Sequence, residues 1–372
     1  MLKKDCRLLS TKKTCSYQKD SVKLIPGKVY ISTVPAPGVT IQNGLLLIEA
    51  SNFTFLTGKN ENTNLSAISF NPNYSITYGQ VQVPIVSNIW SKANKLNFIG
   101  DWRYYYYPTT TYGLGGNSSL SNWDQVNYSF IRFYEYAYKQ IAASHFYAGV
   151  GYNLDYHFDI KKIDSSGTGT DFSQYNANAK STLSSGPAFS ILYDNRRNSN
   201  NPLENSTYCN LIFRSNLTFL GSNDDWQSVY LDFRKYIRLS KKSNDMLCFW
   251  NLNWFTFGNK VPYFDLPSTG WDSYSNTGRG YIQGRLRGPA MVYLESEYRF
   301  DITKNGLLGG VLFVNGESVS DPQSYHFETI LPGYGFGIRL KVNKYSGVNF
   351  AIDYGFGTQG SSGPAFNVSE VF

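Results

Sequence analysis

Residues 145–160 read His-Phe-Tyr-Ala-Gly-Val-Gly-Tyr-Asn-Leu-Asp-Tyr-His-Phe-Asp-Ile. In an extended chain, one face of this stretch carries Phe146, Ala148, Val150, Tyr152, Leu154, Tyr156, Phe158 and Ile160. The other face carries Tyr147, Gly149, Gly151, Asn153, Asp155, His157 and Asp159. A period of two that persists over about 15 residues predicts a strand much longer than the usual ~5–6 residues of soluble sheets.

The same alternation of apolar and polar residues returns elsewhere in the chain. It is clear in Trp226–Leu239 and in Val348–Phe356. Pro35-Ala36-Pro37-Gly38, after Val29-Tyr30-Ile31, is interpreted as a breaker. From Gly44 onward, strand-like runs are separated by clusters of Gly, Asn, Ser, Asp or Pro, and roughly 14 to 16 such runs follow one another. This spacing predicts a single all-β unit without a linker.

Two architectures are compatible with such strands. In a soluble sandwich the apolar face is the core, whereas in a membrane barrel it meets lipid and the polar face lines the lumen. Long strands in successive hairpins favour the barrel, and a closed antiparallel barrel also removes exposed sheet edges. We therefore predict an all-β transmembrane antiparallel barrel.

Composition agrees with this fold class and narrows the function. The 372 residues include 30 Tyr, 25 Phe and 33 Gly, with only 16% charged residues, which suits strands and turns. No run approaches the ~18 consecutive apolar residues of a transmembrane helix. The net charge of +7 is conspicuous near the start of the chain, and no nucleic-acid-binding motif accompanies it. We expect no nucleic-acid partner.

The domain organisation follows from the same pattern. Residues 1–24 are predicted to be a flexible basic lead, and residues 25–372 the barrel. No signal peptide is visible in the lead, so an exported protein would have lost its signal, or the start shown is incomplete. The cysteines Cys6, Cys15, Cys209 and Cys248 fit no metal-binding spacing, and we expect neither a metal nor a cofactor.

An arginine-rich stretch, Thr277–Gly288, stands out from the strands. It places Arg279, Arg285 and Arg287 among glycines and precedes a strand-like run, Ala290–Ile302, with ionisable residues at alternate positions. Guanidinium groups on a permissive backbone beside carboxylates indicate a docked loop. A solvated arginine-rich turn is the alternative.

The last run of the sequence, Pro364–Phe372, also alternates. Phe366, Val368 and Phe372 are predicted to share one face of a closing strand. A final aromatic residue on such a strand is a feature of bacterial outer-membrane barrels.

On these residues the sequence resembles the barrel domain of the BamA/TamA-type superfamily, the bacterial surface antigen family, and especially its short Bacteroidetes-type members. Further motifs carry the resemblance: Ile25-Pro-Gly-Lys-Val-Tyr, the stretch from Gly100 to Pro108, and Asp194-Asn-Arg-Arg with Pro202. The last is similar to a family Asp-x-Arg…Pro-x-x-Gly element, with Asn205 in place of glycine.

The resemblance implies roles for the arginine-rich stretch. Arg279-Gly280-Tyr281 matches the motif at the tip of the family's long sixth extracellular loop, which folds into the barrel. Candidate partners on the inner wall are Glu295, Glu297, Arg299 and Asn315. Asn315 stands where the family has aspartate, and Glu317 where it has glycine. Because an amide makes a weaker bond to arginine than a carboxylate does, Glu297 is the preferred partner of Arg279.

The resemblance also implies about 16 strands and a weakly paired seam between the first and last strands, near Gly44 and Pro364, that opens laterally. Family assembly factors carry periplasmic domains before the barrel, and the lead is too short for one. The predicted function is outer-membrane protein or lipid assembly, with lipids including lipopolysaccharide and other assembly or secretion subunits as partners. A passive or structural barrel is the alternative.

Enzymatic activity is not expected. Ser144 and His145 are adjacent, so on a strand they point to opposite faces. His157 is interpreted as a lumen residue in a hydrogen-bond network, and His326 falls in a loop-like stretch. The motifs of common hydrolases and nucleotide-binding enzymes are not visible in the sequence.

Overall fold

The computed structural model describes residues 24–59, 62–167, 171–176, 179–240, 243–258, 260–273, 275–343 and 346–372. The predicted lead therefore lies outside the described residues, except for Leu24. Cys6 and Cys15 lie outside them as well.

Antiparallel strands make up most of the described chain. They are β1 (Val29–Thr40), β2 (Gly44–Phe55), β3 (Ser66–Phe70), β4 (Asn73–Ser75), β5 (Val81–Trp90), β6 (Leu96–Tyr106), β7 (Thr109–Thr111), β8 (Asp124–Gln140), β9 (Phe146–Ser165), β10 (Ser181–Asp194), β11 (Ser206–Asn216), β12 (Trp226–Arg238), β13 (Met246–Phe257), β14 (Ala290–Asp301), β15 (Leu308–Val319), β16 (Leu331–Lys341), β17 (Asn349–Phe356) and β18 (Ser362–Val368). One short α-helix, α1 (Asp171–Asn176), and three single-turn 3₁₀ helices, Lys92–Asn94, Thr218–Leu220 and Tyr263–Asp265, lie in the connections. No helix of the described chain has the length and hydrophobicity needed to cross a membrane.

The strands form one meandering sheet in which each pairs with its neighbour in the chain. β3 and β4 both pair with β2 and with β5, so they occupy one position in the sheet. β6 and β7 likewise share a position beside β8. The 18 described segments thus occupy 16 positions, which confirms the predicted antiparallel all-β fold and its count of about 16 strands.

The two faces of the sheet differ as the alternation predicted. In β9, Phe146 and Val150 are exposed, whereas Asp155 and His157 are buried. Exposed large apolar side chains continue on the outer face of nearly every strand, and buried charged side chains collect on the inner face. We call the space enclosed by the inner face the lumen.

One strand boundary was predicted wrongly. The run Pro35-Ala36-Pro37-Gly38, interpreted as a breaker before the first strand near Gly44, lies inside β1, which pairs with β2 from Val29 to Thr40. Proline is tolerated on an edge strand because its missing N–H can face away from the partner strand. The strand that faces β18 across the seam is therefore β1 and not the Gly44 run, which is β2.

The connections alternate between the two ends of the sheet. We call the end where β1 joins β2 the loop end. The sixth connection at this end joins β13 to β14 through residues 258–289, and we call it the long loop. It contains the whole arginine-rich stretch.

Candidate functional site: the long loop docked in the lumen

The long loop folds inward because it carries its own apolar core and its own hydrogen bonds. Tyr263, Phe264 and Trp271 are buried among aromatic residues of β6 and β8. At the loop's base, Thr269 N donates to Leu286 O at 3.1 Å. Asp272 closes the turn that leads to the tip. Its Oδ1 accepts hydrogen bonds from the backbone N–H groups of Asn276 and Thr277, at 2.9 Å each.

Arg279, at the tip, carries its charge into a cluster of carboxylates. Its Nη2 donates to both Glu295 and Glu297 of β14, and its Nη1 donates to Asp353 Oδ2 of β17 at 2.9 Å. The guanidinium carbon also lies 3.7 Å from the ring centroid of Phe313. Burial alone would lower the pKa of Arg279, but the three carboxylates hold it well above its ordinary value, so the side chain stays charged.

Two further arginines complete the cluster. Arg299 Nε donates to Glu297 Oε2 at 2.6 Å, and Arg339 Nη1 donates to Asp353 Oδ1 at 2.6 Å. Arg339 Nε also donates to Glu370 Oε2 at 2.8 Å. Three guanidinium groups therefore lie among four carboxylates, those of residues 295, 297, 353 and 370. We call this set the arginine–carboxylate cluster.

The structure places Asn315 beside Arg279 in a different role from that expected. Asn315 Nδ2 donates to the backbone carbonyl of Arg279 at 3.0 Å, rather than meeting the guanidinium group. Glu317 accepts a bond from Thr269 Oγ1 at 3.0 Å. Asn315 thus fixes the backbone of the tip, and the charge of Arg279 is met by Glu295, Glu297 and Asp353.

Two glycines let the tip lie directly on the sheet. Gly280 has a φ of 105°, and a Cβ on it would lie 2.8 Å from the carbonyl carbon of Phe356. A Cβ on Gly355 of β17 would lie 2.5 Å from Gly280 N. Tyr281 then extends across β16 and β17, donating from its hydroxyl to Pro332 O at 2.5 Å and accepting from Thr358 N at 2.8 Å.

The base of the loop is held on other walls of the lumen. Arg103 of β6 donates through Nη2 to Ser273 O at 2.7 Å and to Asp272 O at 3.2 Å. Arg285 donates to Ser118 O at 2.9 Å, in the connection before β8. Arg287 donates to Tyr263 O within the loop, and burial lowers its pKa below the ordinary arginine value.

The end of the sequence differs from the expected closing strand. Phe366 and Val368 lie in β18, but the strand ends at Val368 and Phe372 is not on it. Ser369, with a φ of 85°, turns the chain inward, and Phe372 packs 5.3 Å from the ring of Trp250 in the lumen. Arg299 Nη2 donates to Phe372 O at 2.9 Å. Packing of Phe372 against the buried Trp250 and the hydrogen bond from Arg299 stabilise this inward turn.

The arginine–carboxylate cluster includes residues that the sequence analysis did not assign to it. Asp353 falls on the polar face of the alternating run Val348–Phe356, but the alternation does not connect it to Arg279. Arg339 alternates with the apolar Ile338 and Leu340, which was a signal for an inward position. Glu370 gave no signal, because it follows the last strand.

The histidine that faces the lumen has no nucleophile–base geometry. His157 stacks on Phe130 at 4.4 Å, and its Nδ1 lies 3.8 Å from Asp265 Oδ1. Ser184 Oγ donates to the other oxygen of Asp265 at 2.6 Å, so this hydroxyl hydrogen-bonds to a carboxylate. In a serine hydrolase the nucleophilic hydroxyl donates its hydrogen bond to the histidine. The absence of enzymatic activity stays a prediction.

Comparison with solved structures gives the same fold. BamA from Haemophilus ducreyi lacking POTRA domains 1–3 is similar over 91% of this chain and 68% of that chain, with a TM-score of 0.53 and 14% identity. CdiB from Acinetobacter baumannii is similar over 91% and 59%, with a TM-score of 0.57 and 11% identity. CdiB from Escherichia coli is similar over 91% and 61%, with a TM-score of 0.57 and 10% identity. The chain has the fold of these barrels.

At such identities the similarity concerns the fold alone. The chain spans about three fifths of the length of each CdiB chain. No family model and no curated protein matches the sequence.

Replacing Arg279 with Ala is expected to undock the long loop. The change removes a cation that contacts three buried carboxylates, and breaking a buried ion pair from one side costs about 3–5 kcal/mol. Limited proteolysis of the folded barrel should then cut within residues 258–289. Arg285→Ala is the comparison: it also removes a buried arginine that anchors the loop, but it should increase cleavage less, because its hydrogen bonds are to uncharged groups, a backbone carbonyl, a serine and an amide. Equal resistance in the two variants would contradict the docking role of Arg279.

The contact between Gly280 and Gly355 provides a second test. Gly355→Ala should expose the loop to protease as Arg279→Ala does, because its Cβ would occupy the place of Gly280 N. Gly280→Ala should do the same. Gly360→Ala is the control for backbone strain, since Gly360 also has a positive φ, of 77°, but nothing lies within 4 Å of its Cβ. A loop that stays protected in Gly355→Ala would show that the tip tolerates displacement.

Glu297 and Glu295 should differ in importance. Glu297 meets both Arg279 and Arg299, whereas Glu295 meets Arg279 and the hydroxyl of Tyr293. Glu297→Gln should therefore lower the thermal midpoint of the detergent-solubilised barrel more than Glu295→Gln does. Heat-modifiable migration in gels measures the midpoint. The reverse order would contradict a central position for Glu297.

Proposed function

We propose that this protein is a BamA/TamA-type barrel of the bacterial outer membrane that admits client strands or lipid to the membrane through the seam between β1 and β18. In this role it takes part in outer-membrane protein or lipid assembly, alone or as a subunit of a larger complex. The observation that carries the proposal is the edge structure of this seam, and the fold and the docked loop support it.

The edge of β1 lacks two hydrogen-bond donors on the seam side. Pro35 pairs with Glu49 in β2, and Glu49 N donates away from β1, to Pro72 O. In an antiparallel ladder, such a pair directs both backbone nitrogens outward from the two strands. The nitrogens of Pro35 and Pro37 therefore face β18, and neither can donate.

The edge of β18 that faces β1 also lacks a hydrogen-bond donor, at Pro364. Pro364 of β18 pairs with Tyr354 of β17, which is compatible with the ladder when its nitrogen faces β1. Within residues 24–59 and 346–372, no ladder register joins β1 to β18, although Gly38 and Phe366 are neighbours. A seam without a ladder opens at a lower cost than any other pair of neighbouring strands, because fewer hydrogen bonds break.

The space behind the seam suits a client entering from the side. A cavity of about 230 Å³ lies there, bordered by Val34 and Ala36 of β1, Leu46 and Ile48 of β2, and Phe366 of β18. These side chains at the seam are apolar, as lipid chains and the outward side chains of membrane strands are, whereas polar side chains, among them those of Asn88, Arg196 and Arg234, line other parts of the cavity. The proposed partners are accordingly outer-membrane lipids, including lipopolysaccharide, and other assembly or secretion subunits.

The filled lumen favours this role over that of a passive pore. The long loop places buried side chains against β6, β8, β14 and β17, where a porin holds an aqueous channel. The charges of the arginine–carboxylate cluster, three guanidinium groups and four carboxylates, largely offset one another within ion pairs.

A disulfide across the seam tests the proposal. A Cβ on Gly363 would lie 3.6 Å from Ile41 Cβ, within the range of a disulfide. Ile41→Cys with Gly363→Cys should therefore lock the first hairpin to β18. Oxidation is expected to abolish outer-membrane assembly in cells or proteoliposomes, and reduction to restore it.

The control disulfide joins two loops that do not belong to the seam. Gly116→Cys with Thr329→Cys has a Cβ separation of 3.5 Å and should leave assembly unchanged in both redox states. Full assembly by the oxidised seam variant would refute lateral opening. Large, steady single-channel conductance by the unmodified barrel would instead support a passive pore.

A further inference from the structure

On β8, the outer face of the sheet carries a carboxylate in the middle of an apolar surface. Glu135 lies in β8 between the exposed Phe133 and Ala137, on the face opposite the buried Arg132 and Tyr136. The register pairs it with Gly100 of β6 on one side and with Tyr152 of β9 on the other.

The position is central in the apolar surface. Gly100 lies between the exposed Phe98 and Trp102 of β6, and Tyr152 lies between the outward-facing Val150 and Leu154 of β9. Outward apolar side chains thus continue towards both ends of the sheet on each neighbouring strand.

The local structure directs the carboxylate across β6. A Cβ on Gly100 would lie 2.8 Å from Glu135 Oε2 and 2.8 Å from Ser87 Oγ of β5, so the glycine leaves room for the side chain. Trp102 Nε1 donates to Glu135 Oε2 at 3.1 Å. The Trp102 ring stacks on Phe133 at 5.6 Å. The carboxylate is therefore held in a shallow notch with an aromatic wall.

Its charge has no counterpart among the described residues. No lysine, arginine or histidine of these residues forms an ion pair with Glu135, whereas several carboxylates that face the lumen, among them Asp155 and Asp353, are paired with arginines. A charged side chain on the lipid face of a barrel costs about 2–4 kcal/mol near the midplane when basic, and less when acidic. Ionisable groups in such positions serve interactions that compensate this cost.

We infer that Glu135 and Trp102 form the contact site for a membrane-embedded segment of a partner protein that carries a lysine or arginine. The inference rests on the proposed location in the outer membrane. A basic side chain in the notch meets the carboxylate, and the face of Trp102 adds a cation–π contact. The interaction is strong because the attraction between opposite charges rises in a medium of low dielectric constant.

Other occupants fit the notch less well. Lipid head groups lie at the two rims of the apolar surface, not at its middle. A second copy of this chain, docked through the same face about a two-fold axis, would bring one Glu135 towards the other. Charge complementarity therefore favours a different protein with a basic residue.

Site-specific photo-crosslinking in native outer membranes tests the inference. A photoreactive amino acid in place of Ala137, on the same face, should give one discrete adduct with a polypeptide. The cross-linked peptide should contain a lysine or arginine. Glu135→Gln should lower the adduct yield about tenfold through loss of the ion pair, and Glu135→Asp should retain more of it than Glu135→Gln does.

Glu49→Gln is the matched control. Glu49 is also an exposed, outward-facing carboxylate, on β2, and its neutralisation should leave the adduct unchanged. Heat-modifiable migration of every variant shows whether the barrel has folded. An adduct of undiminished yield in Glu135→Gln, or one with lipid or a second copy, would overturn the inference. Absence of the protein from the outer-membrane fraction would instead overturn the proposed function.

Discussion

The charge of Arg279 is buried in the lumen, and this one interaction connects most of the structure. The carboxylates of Glu295, Glu297 and Asp353 stabilise the buried charge of Arg279, and this cation in turn offsets the cost of burying the three carboxylates. Neither the loop nor the inner wall reaches its lowest free energy alone. Docking of the loop, alignment of β14 with β17, and the inward turn after β18 therefore form one electrostatic unit.

Features of this unit that depend on neighbouring residues in the sequence are predictable, whereas contacts between distant residues are not. Alternation is local, so the strands, the inward position of Glu297 and the outward position of Val150 follow from a period of two. The contact of Arg279 with Asp353 is not local, because 73 residues separate them and only the closed meander brings β17 beside the loop tip. The resemblance supplied the loop and its arginine, but the alternation alone did not connect them to β17.

The errors have equally physical causes. Pro35 and Pro37 were interpreted as a strand break because proline usually ends a strand, yet on an edge the missing N–H is harmless. Phe372 was assigned to a strand because its spacing from Phe366 and Val368 fitted the alternation. A positive φ at Ser369 ends that alternation, and the aromatic pocket at Trp250 stabilises the turned chain. Both errors lie at the seam. Among the described residues, β1 and β18 each pair there with a strand on one side only, so their backbones are less constrained than those of the other strands.

The two sides of the seam are supported unequally. On the β18 side, Ser361 Oγ donates to Gly280 O at 2.7 Å and Asn276 Nδ2 donates to Val371 O at 2.8 Å, so the docked loop holds the last hairpin from inside. Glu370 and Arg339 add an ion pair at 2.8 Å.

On the other side, β1 is paired along its length with β2 and presents prolines to the seam. Opening the seam by moving β18 would disrupt the arginine–carboxylate cluster, whereas moving β1 with β2 would leave it intact. In the proposed opening, the first hairpin would therefore move at lower cost, with β17, β18 and the long loop remaining as the fixed wall.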